Sequence, residues 1–288
     1  MPLEQSKRSL VSKPDRWAMQ DTGVNRSKFK IEANLVYDLY VPADILIAIE
    51  AAQLPDQILL DDLLSVDGSG PLVNTVGEDD VGRRTWLTAS NRLTIDYHAI
   101  VEVSRTVAPL AALALTPRTA LDGKLIPFMW PSRYCESDRF TAFVSRQFGH
   151  LNGGAKVQAM ADWIYHNIDY IFGSSTTATT AVDAFVSRQG VCRDFAHLMA
   201  AFARAADIPA RLVSAYAWGL KSQDFHAVVE VWLEDGWHLV DATRLADPQH
   251  FIRIAVGRDA TDVSFMTIFG YAMLVQQSVS VTKLSAGG

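Results

Sequence analysis

The sequence predicts an α+β protein: a β-rich N-terminal part, then a core in which a helix packs on antiparallel strands. Three observations predict it. Phe29, Ile31, Ala33 and Leu35, and later Leu93, Ile95, Tyr97 and Ala99, alternate at the two-residue period of half-buried strands. From Cys192 onward, Phe195, Leu198, Met199, Phe202, Ala203 and Ala206 fall at the spacing of one buried helical face. Then Phe225, Ala227, Val229, Val231 and Leu233 alternate against His226, Val228, Glu230 and Trp232. After the turn Glu234-Asp235-Gly236 the segment from Trp237 to Thr243 returns as a second strand.

Composition excludes several classes. The 288 residues are 49% hydrophobic and 20% charged, as in a globular protein, and suit one large domain or two ordinary ones. With 26 basic against 32 acidic residues the net charge is −6, which argues against nucleic acid as a partner. No run approaches the roughly 18 apolar residues of a membrane span, so no membrane partner is expected. The N-terminus shows no apolar signal core, which makes a cytoplasmic location the expectation. Two cysteines, Cys135 and Cys192, make no disulfide framework. There is no His-Glu-x-x-His pattern, cysteine quartet or phosphate-binding glycine loop, so no metal and no cofactor is expected.

Taken in order, residues 1–28 read as a polar tail carrying Trp17, and 29–107 as a sandwich-like domain of short strands. Turn signals stand at Asp67-Gly68-Ser69-Gly70-Pro71 and Gly77-Glu78-Asp79-Asp80. The cluster Glu78-Asp79-Asp80 reads as a solvated turn in preference to a metal site, and Asp61-Asp62 and Arg83-Arg84 as exposed charges. Residues 108–150 form a connector broken by Pro109, Pro117, Pro127 and Pro131. The core is expected over 151–288. It starts with a helix over 155–168 whose buried face carries Val157, Met160, Ala161, Ile164 and Ile168, with Trp163 beside it. Ala210 to Trp218 reads as a strand, and Gly219 to Asp224 as a loop leading to His226. Arg258 and Asp259 suit a structural clamp better than a substrate contact, and 272–284 reads as a final strand.

The chemistry gathers around Cys192. Gly190 is read as the stop of a preceding helix, and Cys192 as part of the first turn of the next, which ends before Pro209. Unpaired N–H groups and the helix dipole favour a thiolate there; a small cysteine packing a helix end is the plainer alternative. His226 lies 34 residues on (226 − 192) and Asp241 another 15 (241 − 226). A two-residue turn would put Asp241 on the face of His226, whereas a three-residue turn with a bulge would reverse that parity; the sequence leaves both open. A thiol needs a base to become a nucleophile, and an imidazole needs an acceptor to fix its tautomer. His197 points away from the nucleophile, about 500° further round the helix, and His238 lies on the strand face opposite Asp241. Gln189, three residues before Cys192, is a candidate side-chain donor to an oxyanion, beside the backbone N–H of Cys192 itself.

Gly190-Val191-Cys192-Arg193-Asp194-Phe195-Ala196, Ile208-Pro209-Ala210-Arg211, Phe225-His226-Ala227 and Asp241-Ala242-Thr243 together resemble the core blocks of the transglutaminase-like superfamily, papain-like cysteine enzymes whose bacterial branch includes cysteine-protease-like members. The resemblance implies a papain-like core with Cys192 as nucleophile, His226 as general base and acid, and Asp241 as orienter. It implies acyl transfer at an amide of a peptide or protein substrate. Hydrolysis is the favoured outcome, amide formation with an amine acceptor the second, and a non-catalytic binding module that keeps the fold the third. It also offers Trp163 as an oxyanion residue, and Tyr134 and Arg133, in Pro131-Ser132-Arg133-Tyr134-Cys135, as cleft residues. The sequence departs from the pattern at Val228, where many members carry tryptophan.

Overall fold

The computed structural model describes residues 25–106 and 108–285. The tail expected over 1–28 lies outside the described residues up to position 24, Trp17 included; positions 25–28 already belong to the first strand. The elements run β1 (Asn25–Ile47), β2 (Gln57–Ser69), β3 (Val73–Val76), β4 (Arg83–Arg105), α1 (Thr141–Phe148), α2 (Gly153–Asn167), β5 (Asp169–Tyr170), α3 (Ala181–Ser187), β6 (Gln189–Gly190) and α4 (Cys192–Ala205). Then follow β7 (Ala210–Ala217), β8 (His226–Leu233), β9 (Gly236–Val240), β10 (Phe251–Gly257), α5 (Ala260–Val263), β11 (Met266–Phe269) and β12 (Ala272–Leu284).

Two antiparallel sheets carry the architecture. In the first, the long strands β1 and β4 pair with each other, and each takes two shorter partners along its other edge: β12 and β11 on β1, β2 and β3 on β4. The second runs β10-β7-β8-β9. This differs from the expected N-terminal sandwich in a definite way. Residues 29–107 supply one sheet, and the layer facing it is the core sheet. The alternation in β1 and β4 buries Phe29, Ile31, Leu35, Leu93, Ile95 and Tyr97 against Tyr216, Ile252, Ile254 and Ala255 of β7 and β10. Each such side chain contributes about 1.5–3 kcal/mol through burial. Tyr97 and Tyr216 stack at 6.3 Å across the junction. Their hydroxyls bond to the chain between β1 and β2: Tyr97 accepts from Ala51 N–H at 2.9 Å, and Tyr216 donates to Ile49 C=O at 2.6 Å. The final strand, expected in the core, pairs instead with β1, from Leu39 opposite Ala272 to Lys28 opposite Leu284. Its Val279 and Val281 are buried in that first-sheet core.

Helix α4 packs Phe195, Leu198, Met199 and Phe202 onto Leu212, Val229, Val231 and Leu233 of β7 and β8. The opposite face of the core sheet is covered as well, since Val213, Ala215, Val228 and Val256 pack with Ala52 and Val81. The expected polar face of β8 is therefore interior. Its Glu230 is fully buried and lies between Arg211 (Nε, 2.8 Å) and Arg253 (Nη1, 2.8 Å). Arg253 reaches on to Asp56, which also accepts from Arg105 Nε at 2.8 Å, and Arg211 reaches Asp79. The turn at 78–80 is exposed as expected, and Asp79 in it also holds an arginine. Arg83 likewise bonds Glu50 (2.7 Å) and Asp62 on its own sheet, and Arg84 donates to Asp262 C=O at 2.8 Å, which joins β4 to α5.

The connector contains several short 3-10 turns and one helix, α1, that the proline spacing hid. It is anchored by Arg204 of α4, which is almost fully buried and donates to Trp130 C=O (3.3 Å), Ser132 Oγ (3.1 Å), Ala210 C=O (2.8 Å) and Arg258 C=O.

A shared core predicts that the chain unfolds as one unit. Near-UV circular dichroism and limited proteolysis within β1–β4 should give coincident urea transitions. Val281→Ala, far from Cys192 in sequence, should lower the unfolding free energy read from that single transition by about 2 kcal/mol. Separate transitions for the two sheets would contradict the shared core.

Candidate active site

The approach to Cys192 is built by three short elements. Thr180 caps α3 in a reciprocal box with Asp183, whose carboxylate accepts from Thr180 N–H at 3.0 Å. The helix ends at Arg188 in the left-handed conformation (φ 59°), two residues before the expected stop at Gly190. Gly190 meets a different constraint: a Cβ there would lie 2.7 Å from the Cβ of Asp194. Asp194 is fully buried and accepts from Val191 N–H (2.8 Å) and Ser175 Oγ (2.9 Å), so it caps α4 from its third position. Cys192 is thereby the first residue of α4 and is half-buried.

Strands β5 and β6 form a two-residue parallel ladder, with Asp169 N–H bonded to Arg188 C=O at 2.8 Å and Ile171 N–H to Gly190 C=O at 3.0 Å. The ladder sets Tyr170 level with Gly190. The Tyr170 ring packs on Phe195 at 5.8 Å, and its hydroxyl lies against both the backbone N–H and the thiol of Cys192. Burial first, and the Cys192 sulfur next, raise its pKa above the usual phenol value; the Cys192 N–H works the other way.

The β8–β9 hairpin settles the turn. Leu233 pairs with Gly236, so the loop is the two residues Glu234 and Asp235, both at positive φ (47° and 59°). Continued past Val229 opposite Val240, this register puts Asp241 level with Val228 and on the face of His226. Asp241 Oδ2 and His226 Nε2 are 3.1 Å apart, and Asp241 Oδ1 accepts from Thr243 N–H (2.8 Å) and Oγ1 (2.7 Å). That leaves His226 Nδ1 free to face the Cys192 thiol, which lies close to the ring. Burial alone would lower the His226 pKa. The Asp241 charge and hydrogen bond, with Cys192, outweigh it and raise it to about 10. Burial would likewise raise the Asp241 pKa, but His226 and Thr243 hold it below the usual carboxylate value.

The structure brings Cys192, His226 and Asp241 together and places the other candidates elsewhere. Trp163 is half-buried and packs among aromatics, with ring centroids 5.1 Å from Phe143, 5.5 Å from Phe185 and 5.6 Å from Phe202, so its indole is engaged in helix packing. Gln189 pairs with Asp169 and, by strand alternation, faces away from the Tyr170–Gly190 side. Tyr134 stacks on His197 at 5.1 Å and donates to Thr177 C=O at 2.7 Å, anchoring the connector. Arg133 is exposed and lies 5.0 Å from the Tyr134 ring. His197 is fully buried, accepts from Ala260 N–H at 3.2 Å, and is lowered by burial to about 3. Arg258 binds Asp262, while Asp259 caps α5 and accepts from Tyr134 N–H at 3.1 Å, the clamp expected of them. Cys135 is fully buried, which pushes its thiol up to about 12.

A Transglutaminase-like superfamily model matches residues 142–242, a span that holds Cys192, His226 and Asp241. The crystal structure of a candidate cysteine protease from Cytophaga hutchinsonii is 36% identical, covers 92% of this chain and 93% of its own, and superposes with a TM-score of 0.87. The chain belongs to the transglutaminase-like superfamily. Among curated proteins, an uncharacterised Mycobacterium leprae protein is 26% identical over 183 residues (60% of this chain), and a protein-glutamine gamma-glutamyltransferase of Pseudomonas aeruginosa is 30% identical over 172 residues (55% of this chain). The matches span 66% and 25% of those two proteins.

Within this transglutaminase-like site, sequence reading missed Tyr170. Its signal was the two-residue strand it shares with Gly190, too short to show a period. A cavity of about 650 Å³ lies behind Asp241, lined by Trp237, Val240, Arg244, Gln158 and Arg105 among others, but by neither Cys192 nor His226.

The His226–Asp241 pair predicts a pH-dependent stability. His226 is raised, so its contribution is fully present below its unfolded value of about 6.5 and is lost as pH rises toward about 10. Asp241 is lowered, so its contribution is present above its unfolded value of about 3.9 and is lost as pH falls through the lowered one. The excess urea midpoint of the wild type over His226→Gln should therefore peak near about pH 5–6 and shrink steadily to about pH 10. A difference that is flat with pH would mean the two groups are not coupled.

Proposed function

We propose that this protein is a thiol-dependent hydrolase of amide bonds in peptides or proteins, a cysteine peptidase or amidase working through Cys192, His226 and Asp241. The observation that carries it is the arrangement of a half-buried cysteine at a helix N-terminus with a buried histidine, itself held 3.1 Å from a buried aspartate. A buried imidazole with a raised pKa supports an ion pair in which His226 has taken the thiol proton. The thiolate attacks the amide carbonyl carbon, and the oxyanion accepts from the Cys192 backbone N–H at the start of α4. His226 gives its proton to the leaving amine as the C–N bond breaks, leaving a thioester. A water, deprotonated by His226, then attacks the thioester, and Cys192 leaves as the thiolate. Asp241, fixed by Thr243, keeps the ring oriented through both halves.

Hydrolysis is supported by the likeness to the Cytophaga protein, which spans nearly the whole chain. A second reading, amide formation with an amine acceptor, has support in the glutamyltransferase relative; both readings share the acylation step.

Two measurements test this. Iodoacetamide should alkylate Cys192 at neutral pH at least about 10-fold faster in the wild type than in His226→Ala, with Cys192→Ala as background. Cys192→Ala should abolish turnover of peptide or amide substrates, and His226→Ala should lower it at least ~10³-fold. Product analysis with and without a primary amine separates hydrolysis from amide formation. A thiol alkylated at the same rate in both proteins would favour a binding module over an enzyme.

A further inference from the structure

The geometry points to Tyr170 as a catalytic residue: its phenol O–H is the side-chain donor of the oxyanion hole, paired with the backbone N–H of Cys192. This deepens the acyl-transfer reading and rests on it. Four observations carry it. The β5–β6 ladder fixes the Tyr170 backbone through bonds on both sides of it, from Asp169 N–H to Arg188 C=O (2.8 Å) and from Ile171 N–H to Gly190 C=O (3.0 Å). In a parallel ladder, residues at the same level share a face, and the partner of Tyr170 is Gly190, which has no side chain to compete for it. Asp194 fills the space beside Gly190, so the phenol is guided over the first turn of α4, where the ring meets Phe195 at 5.8 Å. Finally, the hydroxyl lies against the Cys192 N–H and the Cys192 thiol together, the locus where the oxygen of an attacked carbonyl must come.

The competing donors are placed elsewhere. The indole of Trp163 is packed among Phe143, Phe185 and Phe202, and Gln189 is on the far face of the ladder. In the resting site the phenol hydroxyl lies beside the Cys192 N–H and thiol, close to where the oxyanion would form. When a carbonyl carbon meets the sulfur, the developing oxyanion takes that N–H. The phenol then needs only a small turn to aim its proton at the same oxygen. No proton is transferred; the tyrosine stays neutral throughout and contributes a hydrogen bond that strengthens as charge builds.

The test separates attack that creates an oxyanion from attack that does not. Iodoacetamide alkylates the thiolate by displacing iodide, with no tetrahedral intermediate. 4-Nitrophenyl acetate forms one: an S–C bond forms to the acetyl carbon, an oxyanion develops, and the C–O bond breaks to release 4-nitrophenolate, leaving the acetyl thioester. Both rates are measured on the full chain, with Cys192→Ala subtracted as background. Tyr170→Phe, which keeps the ring packing on Phe195, should lower the acetylation rate about 10²-fold or more and leave alkylation within a few-fold. His226→Ala should lower both. Equal acetylation of Tyr170→Phe and wild type, or a rise that would mark the phenol as a plug, overturns the tyrosine role while the acyl-transfer reading stands. A parallel loss of both rates in Tyr170→Phe would show a tyrosine that only positions the thiol, and also overturns it. No acetylation of Cys192 in the wild type overturns the acyl-transfer reading and this inference with it. A circular dichroism spectrum and urea midpoint matching the wild type keep a folding defect from mimicking the effect.

Discussion

The site depends on one buried carboxylate. Asp194 is fully enclosed, yet it stays satisfied because Val191 N–H and Ser175 Oγ both donate to it. Enclosing a charge without partners would cost several kcal/mol, on the order of 3–5 when one partner of a buried pair is removed. The segment before α4 must therefore turn back on it tightly. Gly190 permits that turn, because any Cβ would collide with Asp194. Arg193 bonds Ser175 Oγ at 2.5 Å and lies 3.5 Å from Asp194, closing the ring from outside. Everything reactive is referred to this knot: Cys192 starts the helix it caps, and Tyr170 is stapled to the glycine it requires.

The catalytic core was the most legible part of the chain because its constraints are local. A buried helical face, a proline stop and two alternating strands each leave a short-range pattern, and they located α4, β8 and β9. The turn type was not legible. Glu234 and Asp235 both adopt positive φ, a conformation that Asn-Gly or Asp-Gly would have advertised and that Glu-Asp does not. The helix stop was read two residues late for the same reason, since Arg188 takes the left-handed position that glycine usually signals. The first sheet was half legible. Alternation in β1 and β4 gave the strands, but which layer covers them is a long-range fact. Tyr216, Ile252 and Ile254 look like ordinary core-strand residues until they are seen opposite Phe29 and Ile95.

The charged residues show the same limit from another side. Glu230 sits on the more polar side of an alternating strand, yet it and its partners Arg211 and Arg253 are all buried. A glutamate between two arginines replaces water by fixed charge-assisted bonds. Asp56, Arg105 and Asp79 extend the set to the first sheet and to the turn at 78–80. Spacing cannot reveal such a network, because its members are tens to almost two hundred residues apart. Its placement has a consequence for the site. Arg211 of β7 and Arg253 of β10, the two strands on one side of β8, both hold Glu230, so the strand that begins with His226 is braced from that side.

The two cysteines show how far environment, not residue type, sets the chemistry. Cys135 is fully enclosed, with its sulfur 4.0 Å from the Arg258 carbonyl oxygen, a neighbour that repels negative charge; burial pushes it up to about 12. Cys192 is only half-buried, at a helix N-terminus, with an imidazole and a phenol hydroxyl against its sulfur. Each donor favours the thiolate, but a thiolate held too firmly is a poorer nucleophile. A tyrosine resolves this tension better than a second cation would. Its proton can leave the sulfur for the oxyanion as attack proceeds, so the donor that restrains the nucleophile at rest stabilises the charge that the nucleophile hands over.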